Sequence, residues 1–95
     1  GGDGTLVTKP LTFAGTKLSL NIVSKGRTRV EVQEANGKPL PGYTLDDCTP
    51  ITGDSIEQIV TWKPGAELGK LAAKPVRLRF ALANADLFSM QFQSK

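Results

Sequence analysis

The sequence predicts an all-β domain, a two-layer antiparallel β-sandwich of jelly-roll type with one short helical turn. Three observations carry this expectation. Segments in which apolar and polar residues alternate recur along the chain, and a period of two marks a half-buried strand. Turn residues separate these segments at spacings of about 8–12 residues, the rhythm of sandwiches and barrels. Only residues 66–73, AELGKLAA, have a helical composition. That piece is short and holds Gly69, so it predicts a single turn or a 3₁₀ segment.

The opening residues, Gly1-Gly2-Asp3-Gly4, read as a linker or cloning remnant, and residues 5–95 as one domain cut from a longer protein. Residues 5–13, TLVTKPLTF, mix β-formers with Pro10. Proline cannot donate to a ladder, so an edge strand or two short pieces is expected. In residues 17–24, Leu18, Leu20 and Ile22 face one way and Lys17, Ser19 and Asn21 the other. After Lys25-Gly26 the alternation resumes, with Val30 and Val32 inward and Arg27, Arg29, Glu31 and Gln33 outward. Two such runs around a short turn predict a hairpin. Asn36-Gly37 is a strong turn signal. Gly53-Asp54-Ser55 predicts another turn, before a strand at residues 56–62 with a bulge near Ile59 to place two adjacent apolar residues. Residues 75–82 alternate again, with Val76, Leu78, Phe80 and Leu82 inward and Arg77 and Arg79 outward. Asn84-Ala85-Asp86 reads as a turn into a last strand, residues 87–93, with Phe88, Met90 and Phe92 on one face.

The totals narrow the function classes. A chain of 95 residues makes one domain and buries about 60–65% of its unfolded surface, enough for a core without staples. Apolar content of 39% and charge of 22% are those of a folded protein. No apolar run is long enough for a transmembrane helix. The net charge is +3 and the basic residues are spread along the chain; nucleic-acid binders concentrate charge and add stacking aromatics. Neither nucleic acid nor membrane is therefore an expected partner. There is no histidine, which removes the usual triads and most transition-metal sites. One cysteine forms no internal disulfide. Cys48 lies beside Asp47, and acidic neighbours raise a thiol pKa, so Cys48 is expected to pack and not to react.

Residues 42–62, GYTLDDCTPITGDSIEQIVTW, hold the only Cys, Trp and Tyr and four of the nine acids, with no Lys or Arg between Lys38 and Lys63. Any site is expected here. Asp46, Asp47 and Asp54, with Glu57, could supply the hard oxygen ligands of a structural Ca²⁺. The plainer expectation is that Asp and Ser in turns bond nearby backbone amides. Asp46 and Asp47 cannot be a glycosidase pair, because adjacent residues of an extended strand point to opposite faces. Asp46 with Asp54 or Glu57 remains geometrically open. Tyr43 and Trp62 are the candidate carbohydrate-binding residues, since a flat aromatic stacks on a pyranose; burial in the core is the alternative for both. If their strands are neighbours, Arg27, Arg29, Arg77 and Arg79 line one face. Such a face could grip an acidic polysaccharide, a phosphate backbone or an acidic partner, or be a solvated face paired to Glu31 or Glu34. Lys70 and Lys74 suit the end of a helical turn.

Four stretches, LVTKPLTFAG (6–15), RVEVQEANGKPLPGYTLDDC (29–48), ITGDSIEQIVTW (51–62) and LAAKPVRLRFALANADLFSMQF (71–92), together resemble a module of bacterial secreted glycoside-hydrolase-like proteins. In that group a five-bladed propeller related to the invertase, fructanase and arabinanase families precedes a C-terminal β-sandwich. The likeness covers nearly the whole chain through framework residues, with no catalytic motif. It implies a sandwich fold, a secreted or extracytoplasmic setting and a carbohydrate-active parent whose catalytic carboxylates belong to the propeller. The expected role is a non-catalytic accessory domain that packs on the propeller of the same polypeptide, either purely as structure or with contact to glycan as well. No cofactor is expected apart from the candidate calcium. The alternative is a free-standing carbohydrate- or protein-binding module with that calcium in the 46–57 loop.

Overall fold

The computed structural model describes residues 2–72 and 74–93; Gly1, Ala73, Ser94 and Lys95 lie outside them, and with them one residue each of the expected linker and helical piece. The chain is all-β. Its strands are β1 (Gly2–Val7), β2 (Lys17–Glu34), β3 (Ile51–Ile59) and β4 (Val76–Gln93), with one 3₁₀ turn at Leu68–Leu71 among the described residues. The strands form a single four-stranded sheet in the order β1-β4-β2-β3, antiparallel at every pairing.

The expected hairpin at Lys25-Gly26 is instead a bend within β2. Ser24 pairs with Ala85 and Arg27 with Ala83, so Lys25 and Gly26 stand against Asn84 alone. That extra residue makes a bulge, which bends a strand without reversing it. The expected turn at Asn84-Ala85-Asp86 is likewise inside β4, where Asn84 has φ 53°. A straight strand of this length would run about 60 Å, yet the longest dimension of the molecule is 32 Å. The β2–β4 ribbon therefore folds over at this level. Each half of β2 found its partner in β4, whose halves carry the same alternation, and not in the other half of itself.

Other boundaries shift for related reasons. Gly53-Asp54-Ser55 lies in β3, with Gly53 (φ 88°) opposite Ser24 and Ser55 opposite Ile22. The bulge expected near Ile59 falls at Ile56-Glu57, both facing Asn21 between the pairs Leu20–Gln58 and Ile22–Ser55. In β4, Asn21 pairs with Ser89 and Ile22 with Leu87, which leaves Phe88 unpaired. Phe88 thus leaves the inward row and is 64% exposed, while Phe92 keeps its place and stacks on Phe13 at 4.5 Å. β1 begins inside the stretch read as a linker, with Gly2 opposite Ala85 and Gly4 opposite Leu82. It ends at Val7, and beyond Pro10 only Leu11 bridges to Val76, the two short pieces that proline imposes. The Asn36-Gly37 turn forms as expected: Gly37 N–H donates to Glu34 O at 2.8 Å and Lys38 N–H to Asn36 Oδ1 at 2.9 Å.

The inward rows meet in one core. Leu18, Leu20 and Ile22 come from one half of β2 and Val30 and Val32 from the other; Val76, Leu78 and Phe80 come from β4, all essentially inaccessible. Full burial of each such side chain contributes about 1.5–3 kcal/mol. One polar group is caught among them. Thr28 is fully buried next to the bend, and its Oγ1 has no hydrogen-bond partner among the described residues. A buried hydroxyl without a partner costs about 1–3 kcal/mol. Thr28→Val keeps the shape and removes that cost, so urea unfolding should show stabilisation by about 1 kcal/mol. A lowered midpoint would refute the assignment.

Candidate functional site

The loops around residues 39–50 and 60–71 are organised by a gap in the β2 edge. β3 covers that edge as far as Ile51, opposite Thr28. Residues 40–43 take it up again, with Val32 N–H donating to Tyr43 O at 2.9 Å and Leu40 N–H to Val32 O at 3.1 Å. Between them, no strand of the described residues pairs with Val30 on this side. Its N–H donates to Cys48 Sγ at 3.3 Å, and its carbonyl accepts from Trp62 Nε1 at 2.9 Å. A thiol and an indole thus complete the ladder where the chain has left it, which satisfies a buried backbone pair.

This arrangement answers the question about the aromatics. Trp62 and Tyr43 are each only 7% exposed. Tyr43 meets Trp62 edge-on at 5.7 Å, and its hydroxyl donates to Glu67 O at 2.6 Å. Neither ring presents a face on which a sugar could stack, so the expected carbohydrate platform is corrected to a core pair. Both polar tips are drawn inward by backbone carbonyls. Burial also pushes the Cys48 thiol above its ordinary range, against smaller opposing effects of the Val30 N–H and Arg29. Native protein at pH 8 should therefore leave Ellman's reagent unreacted, with one thiol released on unfolding in guanidinium. Rapid native labelling would contradict this placement.

The carboxylates do not converge. Asp47 Oδ2 accepts from Thr44 Oγ1 at 2.9 Å and Thr44 N–H at 3.2 Å, and its Oδ1 lies 3.5 Å from Lys63 Nζ. These hydrogen bonds to Thr44, with Lys63 nearby, hold its pKa below the ordinary value. Asp46 projects into solvent, 3.9 Å from Arg29. Asp54 sits in β3 opposite Val23, and Glu57 in the β3 bulge, both exposed. Among the described residues no three of His, Cys, Asp and Glu come together as metal ligands. The expected calcium set of Asp46, Asp47 and Asp54 is therefore not assembled: Asp47 closes a turn, and Asp54 belongs to a strand. Nor does the run without bases stay so in space, since Arg29 and Lys63 reach it.

The outward face of β2 and β4 holds what the pattern of alternation misplaced. Glu31 is only 4% exposed. Its carboxylate accepts from Gln33 Nε2 at 2.8 Å and Leu45 N–H at 3.3 Å, and lies 3.8 Å from Arg79. The 39–48 loop covers this part of the face, and nothing local in VEVQE announces that. β2 and β4 are neighbours, so the four arginines do share a face. Arg77 is a tie, with Nε donating to Ala35 O at 2.7 Å and Nη1 to Thr8 O at 3.2 Å. Arg79 pairs with Glu31, as the plainer expectation had it. Lys70, in the last turn of the 3₁₀ segment, donates to Gly65 O at 3.0 Å.

The fold and these loops define an all-β domain whose unusual residues serve its own architecture. No protein-family model, curated protein or solved structure matches the chain.

Proposed function

We propose that this chain is a non-catalytic accessory β-domain of a secreted glycoside-hydrolase-like protein, docked on the propeller of the same polypeptide and extending toward its glycan. The bent sheet is read as a two-layer sandwich in which the halves of the β2–β4 ribbon are the layers. The domain carries no catalytic pair and no cofactor in this reading.

The observation that carries it is a pair of large apolar side chains left in solvent by the two bulges. Ile56 is 86% exposed and Phe88 64%. Ile56 and Phe88 flank Asn21 from opposite sides of β2, two ladder spacings or about 10 Å apart. Exposed apolar groups so close together mark a surface that another protein covers. The resemblance described above supplies the identity of that protein.

The test is amide hydrogen exchange in the full natural polypeptide and in this chain alone. Residues 54–58 and 87–90 should become at least tenfold slower to exchange in the full protein. Equal exchange in both, or a neighbouring domain that is not a propeller, would refute the reading.

A further inference from the structure

The arginine face contains a recess that the loops do not use. Ala81 and Ala83 lie two residues apart on β4 and share its outward face. Thr5 of β1 and Arg29 of β2 stand on either side of Ala81, and Arg27 stands opposite Ala83. Two methyl groups form a low floor, Arg27 and Arg29 one wall, and Thr5 the other. The hollow has a volume of about 420 Å³, the scale of a small-ligand pocket.

The four arginines differ in what they already hold. Arg77 and Arg79 are committed to Ala35, Thr8 and Glu31. Arg27 is exposed, and among the described residues the ion-pair partner of Arg29 is Asp46 at 3.9 Å, whose side chain is 97% exposed. An exposed pair of that length adds little and yields to a better anion. Guanidinium groups match a carboxylate with two parallel hydrogen bonds.

We propose that this recess binds an acidic sugar, with a uronate carboxylate held by Arg27 and Arg29 and the apolar face of its ring on Ala81 and Ala83. The choice of a sugar rests on the carbohydrate setting proposed above; the recess itself does not. A peptide cannot add here as a further strand, because the backbone groups of β4 are engaged by β1 and β2 on both sides. A nucleic acid would need stacking aromatics, and the recess has none.

The test is a titration of the ¹⁵N-labelled chain with digalacturonate, its methyl ester and inorganic sulfate, read by two-dimensional NMR. Digalacturonate should shift the amides of Thr5, Ala81 and Ala83. The ester should shift them at least tenfold more weakly, and so should sulfate. Arg27→Gln and Arg29→Gln should each weaken binding about tenfold, and Ala83→Leu should abolish it by filling the floor. Lys38→Gln, an equal loss of charge elsewhere, should leave affinity unchanged. No shifts, an ester as good as the acid, sulfate as good as the sugar, or equal weakening by Lys38→Gln would each overturn the proposal. Failure here leaves the exchange result at Ile56 and Phe88 standing, and the converse holds, so the two readings fail separately.

Discussion

Gly26→Ala is expected to destabilise the chain by about 3 kcal/mol, and to lower its melting temperature by about 15 °C. Gly26 stands in the bulge that bends β2. A Cβ there would fall against the carbonyl oxygen of Ala83, closer than real Cβ atoms approach such an atom, and tightly against its carbonyl carbon. The obstacle is backbone in a paired strand, so no rotamer change relieves it. Either the bend opens or the Arg27–Ala83 pairing shifts, and both disturb the ribbon that holds the core. Gly4→Ala is the control, since a Cβ there meets nothing within 4 Å. Thermal and urea unfolding of the two variants measure the difference. A loss below about 1 kcal/mol for Gly26→Ala would mean that the bend tolerates a side chain and the bulge is placed wrongly.

Trp62→Phe should cost about as much, roughly 3 kcal/mol, for a different reason. Phenylalanine fills most of the indole's place but has no N–H. The Val30 carbonyl would then be buried without its 2.9 Å partner, at about 1–3 kcal/mol. The smaller ring also leaves a void beside Tyr43, which adds to the loss. Tyr43→Phe keeps the ring contact and removes only the bond to Glu67 O, so its cost should be nearer 1 kcal/mol. Fluorescence gives an independent check on the same residue. Trp62 emission should be blue and resist a neutral quencher, and oligosaccharide should not change it. A red, quenchable band protected by sugar would restore the stacking platform and refute the burial described here.

How much of this was legible in the sequence depends on the range of the interaction. The inward rows Leu18-Leu20-Ile22, Val30-Val32 and Val76-Leu78-Phe80 are written in an alternation that any half-buried strand must show. The Asn36-Gly37 turn is local as well, since the glycine and the asparagine side chain satisfy their own neighbours. Lys25-Gly26 was equally visible as a break. Its consequence was not, because turn chemistry serves a reversal and a bulge alike. What decided between them was pairing with β4, more than 50 residues along the chain, at Ala83 and Ala85.

The same limit separates the unique residues from their roles. Cys48, Tyr43 and Trp62 stood out by rarity, but Val30 lies 18 and 32 residues from its thiol and indole partners. Glu31 sits on an outward position by parity and is buried because Leu45 and the loop around it fold over that face. Asp46, Asp47 and Asp54 are close in sequence yet do not converge as ligands, since Asp47 is tied to Thr44 in a turn, Asp46 projects into solvent and Asp54 lies in β3. The sequence by itself determined that the chain is all-β, which residues alternate into the core and where the backbone is punctuated, because these follow from contacts between near neighbours. The tertiary structure alone decided which breaks reverse the chain, which polar groups close its edge and which apolar side chains stay in solvent, because each depends on a distant strand.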